Sequence, residues 1–366
     1  MLPGFGLGGM ELRLVKIING LGPGWRHTVL PLNGNHAAMR GASLAALVAI
    51  EPPPVSSNRL GQLWSLRKVM RRIRPDLLCT YNWGAMDAQI CNHLGAIAPS
   101  VHNECGFDFS EATVRLRRRK VMRRVLLRRT YATVVVSRAL EQIATLEFGL
   151  SPGKVHFIQT GVDSERFRPE LDRSWRRIHG VPDSSLLLGF VGGLRKEKSL
   201  NLMLEAFSRA NLRNSVLALV GAGSCHTELA ELARELGIAD RVVFAGHEAD
   251  PAVVYPSLDL FLNSSATEQT PNALLEAMAT GLPTVCTDVG DCAYLLGSNS
   301  APVIVPYGDA DAYAASLREL AASPGLRRAL GEANRRRAVQ HFPLDRMVAE
   351  YRRLYEAAIV QRAGGK

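Results

Sequence analysis

Apolar, β-branched runs alternate with segments of helical spacing along the whole 366-residue chain. Runs with the length and composition of strands occur six times in each half. They are 27–32, 46–50, 76–81, 97–102, 132–137 and 155–158 in the first half, and 186–191, 216–221, 241–245, 258–263, 284–287 and 302–306 in the second. Strand–helix alternation of this kind is typical of parallel sheets covered by helices on both faces. The pattern predicts an α/β protein with two Rossmann-like domains.

A polar segment with little strand signal, 164–180, separates the two halves. At roughly 150 residues per domain, a chain of this length accommodates two domains. We place the first domain at 1–165 and the second at 166–342. The tail after Pro343 has the spacing of an amphipathic helix, 343–366.

The composition, 47% hydrophobic and 21% charged, is that of a globular protein that needs no disulfides. The six cysteines are Cys79, Cys91, Cys105, Cys225, Cys286 and Cys292. Their scattered spacing is typical of a reduced, cytosolic protein. The group Cys91, His93, His102 and Cys105 is spaced more widely than usual zinc ligands, so we expect no metal. The N-terminus lacks a secretory signal, and the apolar stretches are too short to cross a bilayer.

The stretch EQTPNALLEAMATGLPTV contains two glutamates eight positions apart, Glu268 and Glu276. Thr270 suits an N-cap and Pro271 the first helical position, which predicts a helix over 271–280. The start of a helix is a natural anion site. Carboxylates on either side of it would bind hydroxyls. The resulting order of bound groups, hydroxyls, anion and hydroxyls, is that of a sugar–diphosphate–ribose ligand. The alternative is an ordinary capped helix whose glutamates face solvent.

A glycine-rich turn with three cations, FVGGLRKEKSLNLMLEAF, follows a predicted strand. It contains Gly192 and Gly193, then Arg195, Lys196 and Lys198 before a helix. Cations on such a turn are a common way for α/β proteins to bind phosphate. The alternative is a basic turn in solvent. A second glycine-rich turn, VGAGS, follows a later strand and either approaches the ligand or simply turns.

Taken together, these motifs resemble glycosyltransferase family 4. The similar stretches are VGGLRKEKSL, LVGAGS, VVFAGH, EQTPNALLEAMATGLPTVCTDVGD and HFPLDRMVAEYRRLY in the second half, and LPGFGLGGMELRLVKI, RPDLLCTYNW, SVHNECGFD and FIQTGVDSERF in the first. The resemblance covers nearly the whole chain. It implies the GT-B fold, in which two Rossmann-like domains flank a cleft, with the C-terminal helix joined to the first domain.

The resemblance also implies a metal-independent transfer of a sugar from a nucleotide donor with retention of configuration. Glu276 would bind the ribose of the donor, and Glu268 would lie by its sugar. Lys198 and Arg195 would bind the diphosphate, and His102 would lie by the acceptor or the sugar. The other implied donor-side positions are Gly192, Gly193, Thr270, Pro271, Asn272 and Leu275, with Gly8 and Gly9 lining the opposite side of the cleft.

The chain departs from the family pattern at three places. Gly193 stands where the family usually has the diphosphate arginine, so Arg195 is the nearest guanidinium. Gln159 and Thr160 replace the usual Pro-Asn before the second domain. The sequence begins inside the glycine-rich loop, so the family's first strand would precede Met1. Either the start of the chain is placed too late, or this domain lacks its usual first strand, which would weaken the first sheet.

A strongly basic helix is predicted over 112–132. From Arg115 to Arg129 the sequence has nine basic residues and no acidic one, and 67–74 is basic too. The candidate surface cations are Arg117, Arg118, Arg119, Lys120, Arg123 and Arg124, and the apolar stripe is Val114, Val121, Met122, Val125 and Leu126. A basic amphipathic helix favours an anionic membrane surface, at the cytoplasmic side here. The family resemblance implies a glycan or lipid-linked acceptor bound through this half. A solvated face or a groove for an acidic substrate is the alternative. The run lacks the interleaved aromatics of a nucleic-acid site.

Three other functions compete with a transferase. GFGLGG matches a dinucleotide motif, but no strand precedes it and no carboxylate follows at the ribose spacing, which excludes an oxidoreductase. A GT-B sugar-nucleotide epimerase would share the fold. A catalytically inactive, membrane-associated sugar-nucleotide-binding protein is the third alternative, because of Gly193.

Overall fold

The computed structural model describes residues 1–6, 8–41, 47–52, 58–107, 116–170, 172–297 and 303–364. The chain divides into two units, Met1–Thr160 with Leu344–Lys366, and Gly161–Pro343. The division lies close to the boundary expected from the sequence at residues 165 and 166.

Unit 1, the first of these, is built from parallel strands and helices. Its strands are β1 (His27–Val29), β2 (Leu47–Ala49), β3 (Leu78–Tyr81), β4 (Ser100–Glu104), β5 (Ala132–Val135) and β6 (Val155–Phe157). Its helices are α1 (Gly9–Leu21), α2 (Arg59–Ile73), α3 (Met86–Gly95), α4 (Arg117–Leu127), α5 (Arg138–Gln142) and the C-terminal helix α13 (Leu344–Gly364). Each predicted strand of the first half is present, though shorter than its apolar run.

The strands of unit 1 form two separate sheets. One is β1-β2 and the other β3-β4-β5-β6, both parallel. The backbone of Met1 and Leu2 lies between them: Tyr81 N–H donates to Met1 O (3.1 Å), and Leu32 N–H donates to Leu2 O (3.0 Å). Burial lowers the pKa of the Met1 ammonium to about 6. Among the described residues no strand joins the two sheets.

The C-terminal helix α13 packs onto unit 1, as expected for the GT-B fold. Tyr351 and Met347 are buried against Ile17 of α1 and Val101 of β4. The Tyr351 hydroxyl donates to Asn103 Oδ1 at 3.1 Å. The last helix of the chain thus completes the core of unit 1.

Unit 2 is one parallel sheet with helices. Its strands are β7 (Leu186–Val191), β8 (Ser215–Val220), β9 (Val242–Gly246), β10 (Leu260–Asn263), β11 (Thr284–Thr287) and β12 (Ile304–Val305). Its helices are α6 (Ser174–Ile178), α7 (Leu200–Ala210), α8 (His226–Glu235), α9 (Asn272–Ala279), α10 (Cys292–Leu296), α11 (Ala310–Ala322) and α12 (Pro324–His341). All six predicted strands of the second half are present.

The strand order of unit 2 reverses at one place. The order is β12-β11-β10-β7-β8-β9, so the chain winds one way from β7 and the other way from β10. In open α/β sheets, ligands bind outside the carboxyl ends of the strands at such a switch point. The topology of unit 2 therefore points to the loops that follow β7 and β10.

The polar segment 164–180 is part of unit 2 and not a loose joint. It contains the short helix α6, in which Trp175 and Arg176 are almost fully buried. The Arg176 guanidinium donates to Ser257 O (2.7 Å) and Asp259 Oδ2 (2.6 Å). An arginine can be buried when its donors are all directed at acceptors. The polar composition of this segment gave no sign that Arg176 is buried.

Candidate functional site

A lysine–glutamate pair joins the carboxyl ends of β7 and β10. Lys198 Nζ donates to Glu268 Oε1, and Ser265 Oγ donates to the same oxygen at 2.8 Å. The Ser264 hydroxyl also holds the backbone of Lys198, at 2.9 Å from its carbonyl oxygen. The Lys198 side chain is only 18% exposed, whereas Lys196 is exposed. The structure therefore places Lys198 and Glu268 together at the switch point and not on a solvated turn.

Glycines allow the loops of this edge to approach one another closely. A Cβ added to Gly221, whose φ is +143°, would lie 1.8 Å from the carbonyl oxygen of Gly192. A Cβ added to Gly290, whose φ is +55°, would lie 2.2 Å from the carbonyl oxygen of Glu268. Side chains do not fit at these two positions, so Gly221 and Gly290 allow the glycine-rich turn of Gly192 and the loop of Glu268 to keep their positions.

Helix α9 starts beside this pair, one residue later than predicted. Pro271, with φ −70° and ψ 115°, is the N-cap, and Asn272 is the first helical residue. The prediction of Thr270 as the N-cap is wrong, because the extended backbone of Pro271 postpones the start of the helix. Leu275 is buried in the core of unit 2. The first N–H groups of α9 nevertheless lie just beyond the Glu268 loop, where they can bind an anion.

Glu276 lies inside α9 and is nearly buried, at 8% exposure. Its Oε2 accepts a hydrogen bond of 2.9 Å from the hydroxyl of Tyr255, a fully buried side chain. The interpretation that Glu276 lies on a solvated face is therefore wrong. Apart from Asn272 and Glu276 the residues of α9 are apolar, and a buried carboxylate among them is costly to keep without a function or a partner.

Arg195 is less engaged than Lys198. Its Nε donates toward Glu197 Oε1 at 2.9 Å, and its side chain is 53% exposed. A Cβ on Gly193 would meet the Arg195 side chain at 3.1 Å. Arg195 thus lies along the turn that includes Gly193, and its role in binding diphosphate stays a prediction.

In unit 1, His102 lies on β4 in a fully buried chain of polar side chains. Gln89 Nε2 donates to Thr80 Oγ1 (2.7 Å), and Thr80 Oγ1 is 2.9 Å from His102 Nδ1. This order of donors favours a proton on His102 Nε2, which lies 3.6 Å from Glu104 Oε2. His102 is 0% exposed, and its role by the acceptor or the sugar stays a prediction.

The two glycines predicted to line the cleft begin helix α1. Gly8 is the N-cap, with φ −90° and ψ 172°, and Gly9 is the first helical residue. A Cβ on Gly8 would lie 2.5 Å from Glu11 Oε2, the mobile end of a side chain. Their predicted contact with the donor stays a prediction.

The basic helix α4 is present, but one of its cations is buried. Arg123 is 1% exposed, and its Nε donates to Glu104 Oε2 at 2.9 Å. Its guanidinium also lies 5.2 Å from the centres of the Trp83, Phe107 and Phe148 rings. The prediction of Arg123 as a surface residue is therefore wrong, because this arginine anchors α4 to the sheet.

The other five cations of α4 are at least partly accessible. Arg117, Arg118 and Arg124 are exposed, and Arg119 and Lys120 are half-buried. In the apolar stripe, Val121 and Val125 are exposed at 59% and 53%, while Val114 lies outside the described residues. The helix thus presents two valines to solvent among its arginines.

Comparison with known proteins accounts for both units. A model described as Glycosyltransferase Family 4 matches residues 7–166, and one described as Glycosyl transferases group 1 matches residues 172–337. The chain belongs to the family 4 glycosyltransferases. The predicted family is confirmed, and its models describe glycosyltransferases, the enzyme class that the sequence predicted.

Curated family 4 relatives match about half of the chain. D-inositol 3-phosphate glycosyltransferase of Kribbella flavida is 32% identical over 213 residues, which are 55% of this chain and 49% of that protein. The lipopolysaccharide core biosynthesis glycosyltransferase LpsE of Rhizobium meliloti is 29% identical over 174 residues, 48% of this chain and 51% of that protein. The chain spans about half the length of the curated relatives it matches. Nothing in these comparisons supports the epimerase alternative.

The fold of this family 4 protein agrees with solved structures over nearly its whole length. The Anabaena protein HepE, solved in complex with UDP and glucose, superposes with a TM-score of 0.84 and 20% identity, covering 97% of this chain and 98% of HepE. The predicted GT-B fold is confirmed.

The group of cysteines and histidines considered as a metal site is divided among other contacts. Cys91 Sγ donates to Leu63 O (3.2 Å), and His93 Nε2 lies 2.9 Å from Leu126 O. In the part of the chain that the structure describes, no three His, Cys, Asp or Glu side chains come together to hold a metal. That this glycosyltransferase needs no metal stays a prediction.

None of the helices in the described ranges combines the length and the apolar character that crossing a bilayer requires.

Proposed function

We propose that this protein transfers a sugar from a nucleoside-diphosphate sugar to a hydroxyl of a glycan or lipid-linked acceptor, with retention of configuration and without a metal. The Lys198–Glu268 pair at the switch point of unit 2 carries this proposal. It places a cation and a carboxylate where α/β sheets bind ligands. The UDP and glucose in the similar HepE structure support the donor class, and LpsE, from lipopolysaccharide core biosynthesis, supports the acceptor class.

The reaction breaks the bond between the anomeric carbon and the diphosphate oxygen. The anomeric carbon forms a new bond to the acceptor oxygen, and the acceptor hydroxyl passes its proton to the departing diphosphate or to water. The departing diphosphate carries the developing negative charge. Lys198 and the first N–H groups of α9 would stabilise that charge, and preorganised donors of this kind contribute about 3–4 kcal/mol each. Glu276 would accept hydrogen bonds from the ribose hydroxyls.

Thermal stabilisation by donors tests this proposal without requiring the acceptor. UDP-, GDP- and ADP-sugars are added to the protein in EDTA, and the unfolding temperature is measured. A ligand at 100 times its Kd stabilises the folded protein by about 2.7 kcal/mol. We expect one donor class to stabilise the protein, and Glu276→Ala to remove the effect. Glu319→Ala, an exposed glutamate on α11, serves as the matched control.

Two outcomes would contradict the proposal. If no nucleotide sugar stabilises the protein, unit 2 is not a donor site. If a donor binds and its nucleotide is never released in the presence of glycan and lipid-linked acceptors, the protein is the inactive binding protein considered as the alternative.

An anionic membrane surface is the partner that we propose for unit 1, at the cytoplasmic side. Helix α4 exposes Val121 and Val125 among its arginines, and α2 exposes Leu60 (80%) and Trp64 (66%). Helix α3 packs against both of them. Like α4, α2 has no acidic residue. Exposed apolar side chains with cations around them are typical of helices that lie in a membrane interface.

Binding to vesicles tests this partner. We expect sedimentation with vesicles containing anionic phosphatidylglycerol and little with pure phosphatidylcholine. The double variant Val121→Asn/Val125→Asn should weaken binding, and Val339→Asn, at an exposed valine of α12, should not. Equal binding by the double variant and the control would show that α4 is a solvated face or a substrate groove.

A further inference from the structure

The contact between Tyr255 and Glu276 links the carboxylate of α9 to a part of unit 2 that the sequence motifs do not include. Tyr255 lies in a short 3-10 turn, Tyr255–Ser257, before β10. Its hydroxyl donates to Glu276 Oε2 at 2.9 Å, and its side chain is 0% exposed. One oxygen of the carboxylate is therefore held from inside the protein.

The ring of Tyr255 is itself fixed by its surroundings. Phe167 packs edge-on against it at 5.7 Å between ring centres, and Phe261 of β10 lies 6.0 Å away. The turn is anchored at Ser257, whose carbonyl oxygen accepts a hydrogen bond from the buried Arg176. The hydroxyl therefore has a fixed position relative to α9.

The Tyr255 hydroxyl is a donor at every physiological pH. Burial, together with the charge of Glu276, raises the pKa of Tyr255 well above its ordinary value. The hydroxyl keeps its proton, and the hydrogen bond to the carboxylate persists.

A fixed carboxylate is what a pair of ribose hydroxyls requires. A free glutamate side chain has three rotatable bonds, and ordering it on binding costs affinity. Glu276 remains 8% exposed, so a small part of this residue stays accessible while Tyr255 holds Oε2 from inside the protein. We propose that Tyr255 is a positioning residue, which orients Glu276 to accept hydrogen bonds from the ribose of the nucleotide. This inference rests on the proposed function, because it assumes that Glu276 binds a ribose.

Tyr255→Phe removes the hydroxyl and leaves the packed ring. Tyr313→Phe is the matched control, because Tyr313 is also a fully buried phenol of unit 2 and donates instead to Val285 O at 2.9 Å. Calorimetry measures the Kd of the tightest binder among UDP, GDP and ADP, and of its 2′,3′-dideoxy counterpart. A loss of fold alone would weaken both ligands equally, whereas loss of positioning affects only the ligand with ribose hydroxyls.

We expect Tyr255→Phe to raise the Kd of the ribonucleotide about five- to tenfold and to leave the Kd of the dideoxynucleotide within about twofold. Tyr313→Phe should change neither. Two results would overturn the role of Tyr255. In the first, Tyr255→Phe weakens the binding of the ribonucleotide and the dideoxynucleotide equally. In the second, Glu276→Ala weakens ribonucleotide binding, but Tyr255→Phe leaves the same ribonucleotide Kd as Tyr313→Phe. If Glu276→Ala has no effect, or if none of the three nucleotides binds, the proposed function fails first and the inference with it.

Discussion

The buried pair of Arg123 and Glu104 sets the largest stability effect that we expect in unit 1. The two side chains are each 1% exposed and meet at 2.9 Å. Arg123→Ala would leave the Glu104 carboxylate buried without its cation, and breaking a buried pair in this way costs about 3–5 kcal/mol. At ~2–4 °C per kcal/mol for domains of this size, a loss of about 4 kcal/mol lowers the unfolding temperature of unit 1 by about 8–16 °C.

The effect should depend on pH with a definite sign. Burial alone raises the pKa of Glu104, but the imidazole of His102 and the charge of Arg123 together lower it below its ordinary value. A carboxyl with a lowered pKa stabilises the fold above the unfolded value near 4.3 and loses that contribution as pH falls. Without Arg123, the pKa of Glu104 loses one of the causes that lower it and rises, so protonation at low pH relieves part of the cost of burying the carboxylate. The difference in the free energy of unfolding between wild type and Arg123→Ala is therefore largest near pH 7 and becomes smaller toward pH 4.

Urea denaturation followed by circular dichroism measures the loss in the free energy of unfolding and, when repeated at pH 7 and pH 4, its dependence on pH. Arg118→Ala, at an exposed arginine of the same helix, controls for the loss of a cation and should change stability by less than about 0.5 kcal/mol. Glu104→Gln in the Arg123→Ala background removes the buried charge and should recover part of the loss. The reasoning would be refuted if the free energy of unfolding of Arg123→Ala lay within about 1 kcal/mol of the wild-type value. It would also be refuted if adding Glu104→Gln recovered none of the lost stability.

Two further changes test the switch point of unit 2. Lys198→Ala should lower kcat about 10²- to 10³-fold, since a charged donor to the leaving group is lost; unchanged turnover would remove Lys198 from the site. Its unfolding temperature should fall less than that of Arg123→Ala, because the Lys198 and Glu268 side chains stay 18% and 12% exposed. Gly290→Ala places a Cβ against the carbonyl oxygen of Glu268, so we expect weaker donor binding and a lower unfolding temperature. Gly325→Ala, where a Cβ meets nothing within 4 Å in the first turn of α12, should be neutral or stabilising. Equal donor affinity in the two glycine variants would contradict the role of Gly290.

The strands and the glycine-rich turns could be predicted from the sequence because their signals are local. Apolar, β-branched runs mark all of the described strands, and parallel pairing follows from the alternation with helices. The sequence also predicts that the loops of Lys198 and Glu268 lie close together, since parallel strands end at one edge of the sheet and the helix start nearby favours an anion.

The errors about burial arise where distant residues decide whether a side chain is exposed. Arg123 lies in a run of cations that looks solvated, and nothing near it in the sequence points to Glu104 or to three aromatic rings from separate segments. Arg176 is similar, because its acceptors include Ser257 and Asp259, far along the chain. Tyr255 and Glu276 are 21 positions apart, and no spacing rule connects them. Long-range partners of this kind become visible only when the fold is known.

Release of nucleotide from a sugar donor tests the central claim most directly. The protein is incubated in EDTA with UDP-, GDP- and ADP-sugars, and free nucleoside diphosphate is measured for wild type, Glu276→Ala and Glu319→Ala. Slow release from one donor, lost in Glu276→Ala and kept in Glu319→Ala, is the result that a metal-independent sugar transferase predicts. Equal release by Glu276→Ala, or no release from any donor, would contradict the assignment of the donor site to α9 and the switch point.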